Sequence, residues 1–191
     1  MPRASAADAA ATAARILDIA TARFAEHGYA AASVDEIAQA SGVTRGAVYH
    51  HYSSKPGLFA AVASAQQHRI ADDIITATAE STPASSLRDG SHAFLDAITR
   101  GAAARVLLVD GPSVLSWDDW RRLDAEGPVE QLREGLREAG VAAGLLDALA
   151  AALSGAMNEL ALWLSERAAD TAARRRAHEA LDRLLDAAIP R

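Results

Sequence analysis

Residues 33–59, SVDEIAQASGVTRGAVYHHYSSKPGLF, contain the helix-start signals and the turn that decide the fold. Ser33 is a good N-cap residue, and Glu36, three positions later, completes a capping box. Gly42 can adopt the left-handed conformation that a tight turn needs, and Thr44 can cap the helix that follows it. The stretch therefore predicts two short helices on either side of a glycine turn.

The second of these helices has the kind of side chains expected in a helix that enters the DNA major groove. We expect it to run from Arg45 to about His51, after a first short helix that ends near Ser41. Two short helices around a glycine turn are the sequence form of a helix-turn-helix, whose second helix lies in the major groove. Hydrogen-bonding side chains predominate in this helix, and a glycine allows close approach of the backbone.

The pattern extends on both sides of this motif. Apolar residues recur at helical spacing over residues 7–27, and Gly28 supplies a C-terminal stop. Ser54 can cap a fourth helix that begins near Lys55 and has Pro56 in its first turn. The backbone amides of that turn and the Lys55 ammonium together predict a phosphate contact.

From about residue 10 to residue 62 the chain resembles the DNA-binding domains of the TetR family of transcriptional regulators. The residues that carry the resemblance are Phe24, Gly28, Tyr29, 34–37 and 43–59. The match is specific because the turn, the recognition helix and the trailing lysine occur in register. Tyr52 departs from the pattern, since the family more often has Phe there. That position is usually core, so we expect the Tyr52 hydroxyl to meet a neighbouring group or a phosphate.

The resemblance also implies which residues face DNA. The main set lies in and just after the recognition helix, with further contacts from three small apolar residues. The predicted DNA-binding residues are Val34, Val43, Thr44, Arg45, Gly46, Ala47, Tyr49, His50, His51 and Lys55. Arg45 can contact a phosphate or a base, and only base contacts distinguish sequences. Tyr49 can alternatively serve as a core aromatic.

Composition limits the class of protein. Half of the 191 residues are apolar, with Ala and Leu far ahead of the other apolar types, which favours an all-α fold. The chain has no cysteine, which excludes disulfides, thiolate metal sites and a catalytic thiol, and is typical of the cytoplasm.

The positive and negative charges balance over residues 1–60, so the whole net charge of −6 lies in the remainder of the chain. We expect neither a signal peptide nor a stretch near the roughly 18 apolar residues of a membrane span.

Helical periodicity continues after the motif to the end of the chain. The fourth helix is expected to reach about residue 80, followed by helices over 84–99, 102–110, 117–125, 129–138, 145–166 and 170–189. These stretches resemble TetR-family ligand domains, which are helical throughout. The expected fold is therefore all-α with about nine helices. We divide it into a helix-turn-helix domain over 1–56 and a ligand-binding and dimerisation domain over 57–191.

Two residue sets in the second domain predict binding surfaces. Large aromatics with a few polar groups are what a small-molecule pocket needs, although each aromatic alone is also an ordinary core residue. The predicted effector pocket contains His92, Phe94, Trp117, Trp120, Met157, Asn158 and Trp163. Leucine stripes with small residues on the last two helices allow close approach of a second copy, although a monomer could also bury one face of each helix. The TetR resemblance implies a four-helix dimer interface, here expected through Leu149, Ala152, Leu153, Ala156, Leu160, Leu181, Leu184 and Leu185.

These features predict a DNA-binding regulator without enzymatic activity, metal or cofactor. The sequence lacks a glycine-rich phosphate loop, a nucleophile elbow and an H-E-x-x-H motif. His50 and His51 are adjacent on a helix and point about 100° apart, so they cannot readily chelate one ion. The expected partners are a double-stranded pseudo-palindromic operator, a second copy of the chain and a small-molecule effector that releases a repressor, with no membrane. The alternatives are a non-catalytic helical interaction protein and an activator or corepressor-dependent regulator of the same fold.

Overall fold

The computed structural model describes residues 6–116, 119, 127–167 and 169–190, except for the side chains of residues 83 and 84. These residues contain no β-strand, and the predicted all-α fold is confirmed. The α-helices are α1 (Ala6–Ala31), α2 (Val34–Ala40), α3 (Arg45–Tyr52), α4 (Lys55–Thr78), α5 (Pro83–Ile98), α6 (Gly111–Val114), α7 (Pro128–Glu138), α8 (Leu146–Ser165) and α9 (Thr171–Ala188). A π-helix (Ala104–Asp110) precedes α6, and a short 3₁₀ helix (Ala143–Leu145) precedes α8.

Helix α1 breaks at Gly28, where the sequence predicts a stop. Gly28 has φ 75° and ψ 168°, a left-handed conformation that a side chain would strain. A Cβ at this position would also lie 2.6 Å from the Arg105 guanidinium. Glycine is therefore favoured by the turn after α1, and its missing Cβ leaves room for the end of the Arg105 side chain.

The first three helices and the start of α4 pack on one another, and we call this part of the fold the N-terminal bundle. The rings of Phe24 and Tyr29 each lie 5.2 Å from the ring of Phe59, in edge-to-face geometry. Ile37 and Val48 are fully buried in the same cluster. The aromatic contacts tie α1 to α4, so the motif helices rest on a rigid support.

Helix α4 continues from this bundle into a second one. Its buried residues run from Leu58 near its start to Ile74 near its end, and it packs along α5. Helices α5, α7, α8 and α9 pack on one another to complete this C-terminal bundle. Helix α4 supplies buried residues along both bundles and is the continuous helix between them. The division at residue 56 remains a prediction.

Some predicted elements differ from the structure between residues 99 and 127. The helix expected over 102–110 is a π-helix over Ala104–Asp110, and a short α6 that the sequence did not indicate follows it directly. Gly111 and Pro112 were expected to interrupt the helical structure. Instead they form the first turn of α6, a position where proline is tolerated. The helix expected over 117–125 lies outside the described residues except for residue 119.

The expectation that no stretch approaches a membrane span is wrong for one segment. Among the described residues, Ala143–Ser165 is long and apolar enough to cross a membrane by length and composition. Its buried residues recur at helical spacing, as in a helix that packs one face on a core. Within its most apolar window 33% of the residues are buried in this chain, and the exposed positions include the small residues Ala151, Ala152 and Gly155.

Candidate nucleic-acid interface and ligand cavity

Three side-chain caps fix the geometry of the helix-turn-helix. The hydroxyl oxygens of Ser33, Thr44 and Ser54 accept hydrogen bonds from the backbone amide three residues on, at 3.5, 3.2 and 3.1 Å. Each cap was predicted and is confirmed. Gly42 has φ 66°, the left-handed conformation expected for the turn. Local hydrogen bonds therefore set the start of α2, α3 and α4.

Helix α3 has one buried and one exposed side. Val48 is fully buried against the core of the N-terminal bundle. Thr44, Arg45, Gly46 and His50 are exposed on the other side. The structure thus leaves the polar side of α3 free to meet a ligand as large as a DNA duplex.

Arg45 is held at this surface by two neighbours. Its guanidinium donates hydrogen bonds to the Asp35 carboxylate at 2.9 Å and to the Tyr49 hydroxyl at 3.1 Å. The Arg45 and Asp35 side chains are 56% and 65% exposed, so this ion pair contributes little to stability. A guanidinium has five N–H donors, and the two bonds leave others available to a base or a phosphate.

Lys55 lies at the start of α4 beside the turn that follows Gly28. Its ammonium donates a hydrogen bond to the Ala30 carbonyl at 3.3 Å and stands 4.6 Å from the centre of the Tyr29 ring. The Tyr29 amide in turn donates to the Asp110 carboxylate at 3.0 Å. The ammonium therefore sits against the turn that follows Gly28, and its contact with a phosphate remains a prediction.

The other predicted DNA-facing residues differ in burial. Tyr49, His51, Val43 and Ala47 are partly buried. Val34 is only 6% exposed, because it begins α2 on the side that packs into the core, so its side chain has a structural role. Of the ten predicted positions it is the one whose side chain is buried.

Two expectations were stated for the Tyr52 hydroxyl, a neighbouring group or a phosphate, and the first is confirmed. It donates a hydrogen bond to the Ala13 carbonyl of α1 at 2.7 Å. Burial, and then the Asp18 carboxylate, raise the pKa of the Tyr52 phenol, so it remains a donor at neutral pH. The residue ties α3 to α1.

A cavity of about 200 Å³ lies between the end of α4 and helices α5, α7 and α8. Phe94 and Met157, both predicted to line a pocket, contribute to its walls. Most other wall atoms are apolar and belong to residues that sequence reasoning missed. The main ones are Ile74, Ile75, Leu87, Val129, Leu132 and Gly135, with the polar residues Thr78, Ser86, Ser91, Gln131 and Ser154.

The remaining predicted pocket residues do not line this cavity. His92 precedes Phe94 by two positions, which turns it about 200° around α5 toward α9, where its ring stacks on His178. Asn158 lies next to Met157 but about 100° around α8, outside the lining. Trp163 packs instead under the guanidinium of Arg167. Trp117 and Trp120 lie outside the described residues.

The predicted dimer residues also divide by burial. Leu153, Leu181 and Leu185 are buried inside this chain and pack its own core. The others remain at least partly accessible, and Leu184 is 41% exposed. The accessible members are Leu149, Ala152, Ala156, Leu160 and Leu184.

Comparison with known proteins matches both bundles. The family described as "Bacterial regulatory proteins, tetR family" matches residues 16–62, and "Tetracyclin repressor-like, C-terminal domain" matches residues 84–188. The chain belongs to the TetR family. TetR-family proteins are transcriptional regulators rather than enzymes.

Individual TetR-family relatives support this assignment over different lengths. The HTH-type transcriptional repressor Rv1474c of Mycobacterium tuberculosis is 44% identical over 71 residues, 37% of this chain and 38% of that protein. The HTH-type transcriptional regulator SrpR of Pseudomonas putida is 44% identical over 68 residues, 36% of this chain and 32% of that protein. These alignments span about a third of the curated relatives. A TetR-family regulator from Pectobacterium atrosepticum has a similar solved structure, with 27% identity, a TM-score of 0.75 and 98% coverage of both chains.

Proposed function

We propose that this TetR-family chain is a homodimeric repressor that binds a pseudo-palindromic operator through α3. A small molecule in the cavity between α4, α5, α7 and α8 would release it. The observation that carries the proposal is the exposed polar side of α3, whose start is capped and whose other side is anchored in a rigid core. Such a helix can enter the DNA major groove with its polar side while its other side stays packed on the protein.

Gly46 supports a close approach of DNA to α3. A Cβ built on Gly46 would meet only the Thr44 hydroxyl, at 3.8 Å, so packing within this chain does not require glycine. Glycine in a helix costs up to about 1 kcal/mol relative to alanine. Contact of the α3 backbone with the DNA gives a reason for a residue that folding alone disfavours.

The cavity lies where a ligand can influence the N-terminal bundle. Its walls include Ile74, Ile75 and Thr78 at the end of α4, the helix that begins at Lys55. A ligand that moves this end would tilt α4 and alter the distance between the two α3 helices of a dimer. A ligand that favours the DNA-incompetent state by about 100-fold supplies about 2.7 kcal/mol of coupling.

Dimerisation is proposed from the uncovered apolar surface on α8 and α9. A single recognition helix reads only a few base pairs, whereas a two-fold dimer reads two half-sites about 34 Å apart or a multiple of that distance. Ala152 and Leu184 stand on this surface, with small neighbours that permit close helix approach. A chromosomal operator also implies action in the cytoplasm.

The first experiment is a mobility shift of the purified protein on DNA from upstream of its own gene, at two salt concentrations. Sequence-dependent binding should weaken steeply with salt, because phosphate contacts release counterions. Tyr49→Ala and Lys55→Ala should each weaken binding, whereas Arg175→Ala, a charge removed from the exposed surface of α9, should not. If the parent binds this DNA no better than random DNA and all three variants behave like it, the chain is better explained as a helical interaction protein.

A further inference from the structure

Two histidine side chains, His92 of α5 and His178 of α9, meet between these helices, and we call them the histidine pair. Their Nδ1 atoms are 2.5 Å apart, and the planes of the two rings differ by only 5°. The side chains are 27% and 20% exposed, so both are largely shielded from water. Two nitrogen atoms at this distance must share a hydrogen, because two facing lone pairs would repel each other.

The opposite nitrogen of each ring faces a carboxylate. His92 Nε2 lies 2.8 Å from Asp182, and His178 Nε2 lies 3.1 Å from Asp96. An ionised carboxylate can only accept a hydrogen bond, so each Nε2 must carry a hydrogen. Turning either ring over would put carbon atoms at both of its contacts, so the hydrogen bonds select the orientation described.

Two arginines keep these carboxylates ionised. Arg88 pairs with Asp182, and Arg174 donates to Asp96 at 3.0 Å. Burial would raise the pKa of the Asp182 carboxyl, but hydrogen bonds from His92 and Arg88 outweigh burial and lower it. Neither carboxyl group is therefore a source of the hydrogen that the ring nitrogens need.

The histidine pair holds one proton more than two neutral imidazole rings carry. Two neutral rings have two N–H hydrogens in total, and here both are directed at carboxylates. The short Nδ1 contact needs a third, so one of the two rings is an imidazolium. We infer that His92 and His178 form a proton-binding site, in which a single proton between the two Nδ1 atoms joins α9 to α5.

A proton fits this contact better than a metal ion does. Zinc–nitrogen bonds are about 2.0–2.1 Å long, so two imidazole ligands at a tetrahedral angle stand about 3.3 Å apart. The observed separation of 2.5 Å is too short for that arrangement. The described residues also contain no group of three or more His, Cys, Asp and Glu side chains that could hold a metal ion.

The other charges near the histidine pair lie on the same two helices. Asp89 of α5 interacts electrostatically with His92, and Asp186 of α9 pairs with Arg88. Among the described residues, the helices that pack against α5 and α9, namely α4, α7 and α8, place no hydrogen bond or ion pair on either ring. The four carboxylates around the pair outnumber the two arginines, which favours one added positive charge.

The shared proton makes the contact between α5 and α9 sensitive to pH. The Nδ1 contact exists only while one proton is bound, so its contribution to the free energy of unfolding is lost as the pH rises above neutrality. A second proton would place two imidazolium rings face to face, so the contribution is also lost in acid. Helix α5 lines the cavity through Phe94, and α9 carries Leu184 of the proposed dimer surface. Loss of the proton therefore loosens the packing between these two regions.

Nuclear magnetic resonance of the full chain, labelled with nitrogen-15 in its histidines and kept in EDTA, tests the site directly. At pH 7 we expect both Nε2 atoms of the pair to carry hydrogen and one further proton to be shared by the two Nδ1 atoms. By pH 9 the shared proton should be lost, while both Nε2 atoms keep theirs. The variant His178→Asn identifies the signals of the pair.

Urea unfolding at pH 7 and pH 9 measures what the shared proton contributes. A free histidine ring has a pKa of about 6.5, so at both pH values the unfolded chain holds little of this proton. Between them, the folding equilibrium constant of the parent should fall about three- to tenfold more than that of His178→Asn, the range of one hydrogen bond. The asparagine amide can donate to His92 Nδ1 without an added proton, which removes the dependence on pH.

Two further variants serve as controls. His92→Asn should lose the same pH dependence as His178→Asn, and it replaces that variant if the latter does not fold. His68→Asn should keep the pH dependence of the parent, because the His68 ring on α4 bonds only to Ser64 of its own helix.

Three outcomes would overturn the inference. The first is an equal pH dependence of parent and His178→Asn between pH 7 and pH 9. The second is an Nε2 atom of the pair without hydrogen at pH 7. The third is a pair that lacks the shared proton in EDTA and is stabilised by added zinc, which would make a metal the occupant. None of these measurements involves the operator, so the site can stand or fall independently of the proposed repressor.

Discussion

Gly46 allows DNA contact and folding to be tested separately. A Cβ at this position would make only an ordinary contact with the Thr44 hydroxyl, at 3.8 Å, among the described residues. Gly46→Ala should therefore leave the free energy of unfolding unchanged or raise it by up to about 1 kcal/mol, since alanine favours the helix. The added methyl should weaken operator binding by holding the α3 backbone away from the DNA. Urea denaturation and a mobility shift on the same preparation measure the two effects.

Gly57 is the matched control for that substitution. A Cβ at Gly57 would lie 2.2 Å from the Tyr52 carbonyl oxygen, so Gly57→Ala must disturb the turn between α3 and α4. This variant should lose stability and operator binding together. If Gly46→Ala binds the operator as tightly as the parent, the α3 backbone does not approach DNA closely at that point.

Tyr52→Phe removes the hydrogen bond between α3 and α1 while keeping the ring. The loss of the bond to the Ala13 carbonyl should lower the free energy of unfolding by about 1 kcal/mol. Tyr29→Phe is the control, since the Tyr29 hydroxyl makes no hydrogen bond within the described part of the chain. Thermal melting followed by circular dichroism compares the two; an equal melting temperature for Tyr52→Phe and parent would show that the bond contributes nothing.

The starts of α2, α3 and α4 were predictable from the sequence because each depends on a hydrogen bond between a cap side chain and the backbone amide three residues later. Ser33, Thr44 and Ser54 need only a nearby amide, and each cap is formed. The cavity depends instead on how each helix is rotated against its neighbours. Phe94 and His92 are two residues apart and face different helices, a distinction that aromatic content does not encode.

Packing between α5 and α9 brings together charges that the sequence keeps far apart. The His92 and His178 rings stack with their centres 4.6 Å apart, and their Nδ1 atoms are 2.5 Å apart. The outer nitrogens meet Asp182 at 2.8 Å and Asp96 at 3.1 Å, and Arg88 pairs with Asp182 as well. These polar contacts join the two helices beside the apolar core.

The free energy of unfolding should depend on pH through the ionisation of the Asp182 carboxylate. Burial alone would raise its pKa, but hydrogen bonds from His92 and Arg88, with their charges, outweigh burial and lower it. A lowered pKa means that the folded state holds the charged form more strongly than the unfolded chain does. The resulting stability is present above the ordinary Asp pKa, about 3.9, and is lost as pH falls through the lowered value.

Asp182→Asn removes this contribution. At pH 7 the variant should be less stable than the parent by about 0.5–1 kcal/mol, the scale of a partly exposed ion pair. The difference should shrink as pH falls below about 4. Asp186→Asn removes a more exposed partner of Arg88 and should have a smaller effect at every pH. A difference between parent and Asp182→Asn that stays constant from pH 7 to pH 3 would contradict the assignment to Asp182.

We propose that a second copy of the chain covers the accessible residues of α8 and α9. Helix α8 is long and apolar enough to cross a membrane by length and composition, so a lipid surface is the alternative to a second protein surface there. A second copy of the chain accounts for this surface and also supplies the second recognition helix that an operator of two half-sites requires. Neither purpose is served by a monomer.

Leu184→Arg tests whether this surface joins two copies. Leu184 is 41% exposed on α9, so the arginine can be accommodated in a monomer but would leave a charge buried against a partner. The variant should elute as a monomer in size-exclusion chromatography with light scattering, and keep its helical circular dichroism. Its operator affinity should fall by about 100-fold or more, because two linked half-site contacts become one.

Val109→Arg is the control: it places the same charge on the π-helix, where Val109 is 54% exposed, and this variant should remain dimeric. A Leu184→Arg protein that stays dimeric would move the interface elsewhere, and a parent that is monomeric but binds lipid vesicles would assign α8 to a membrane surface.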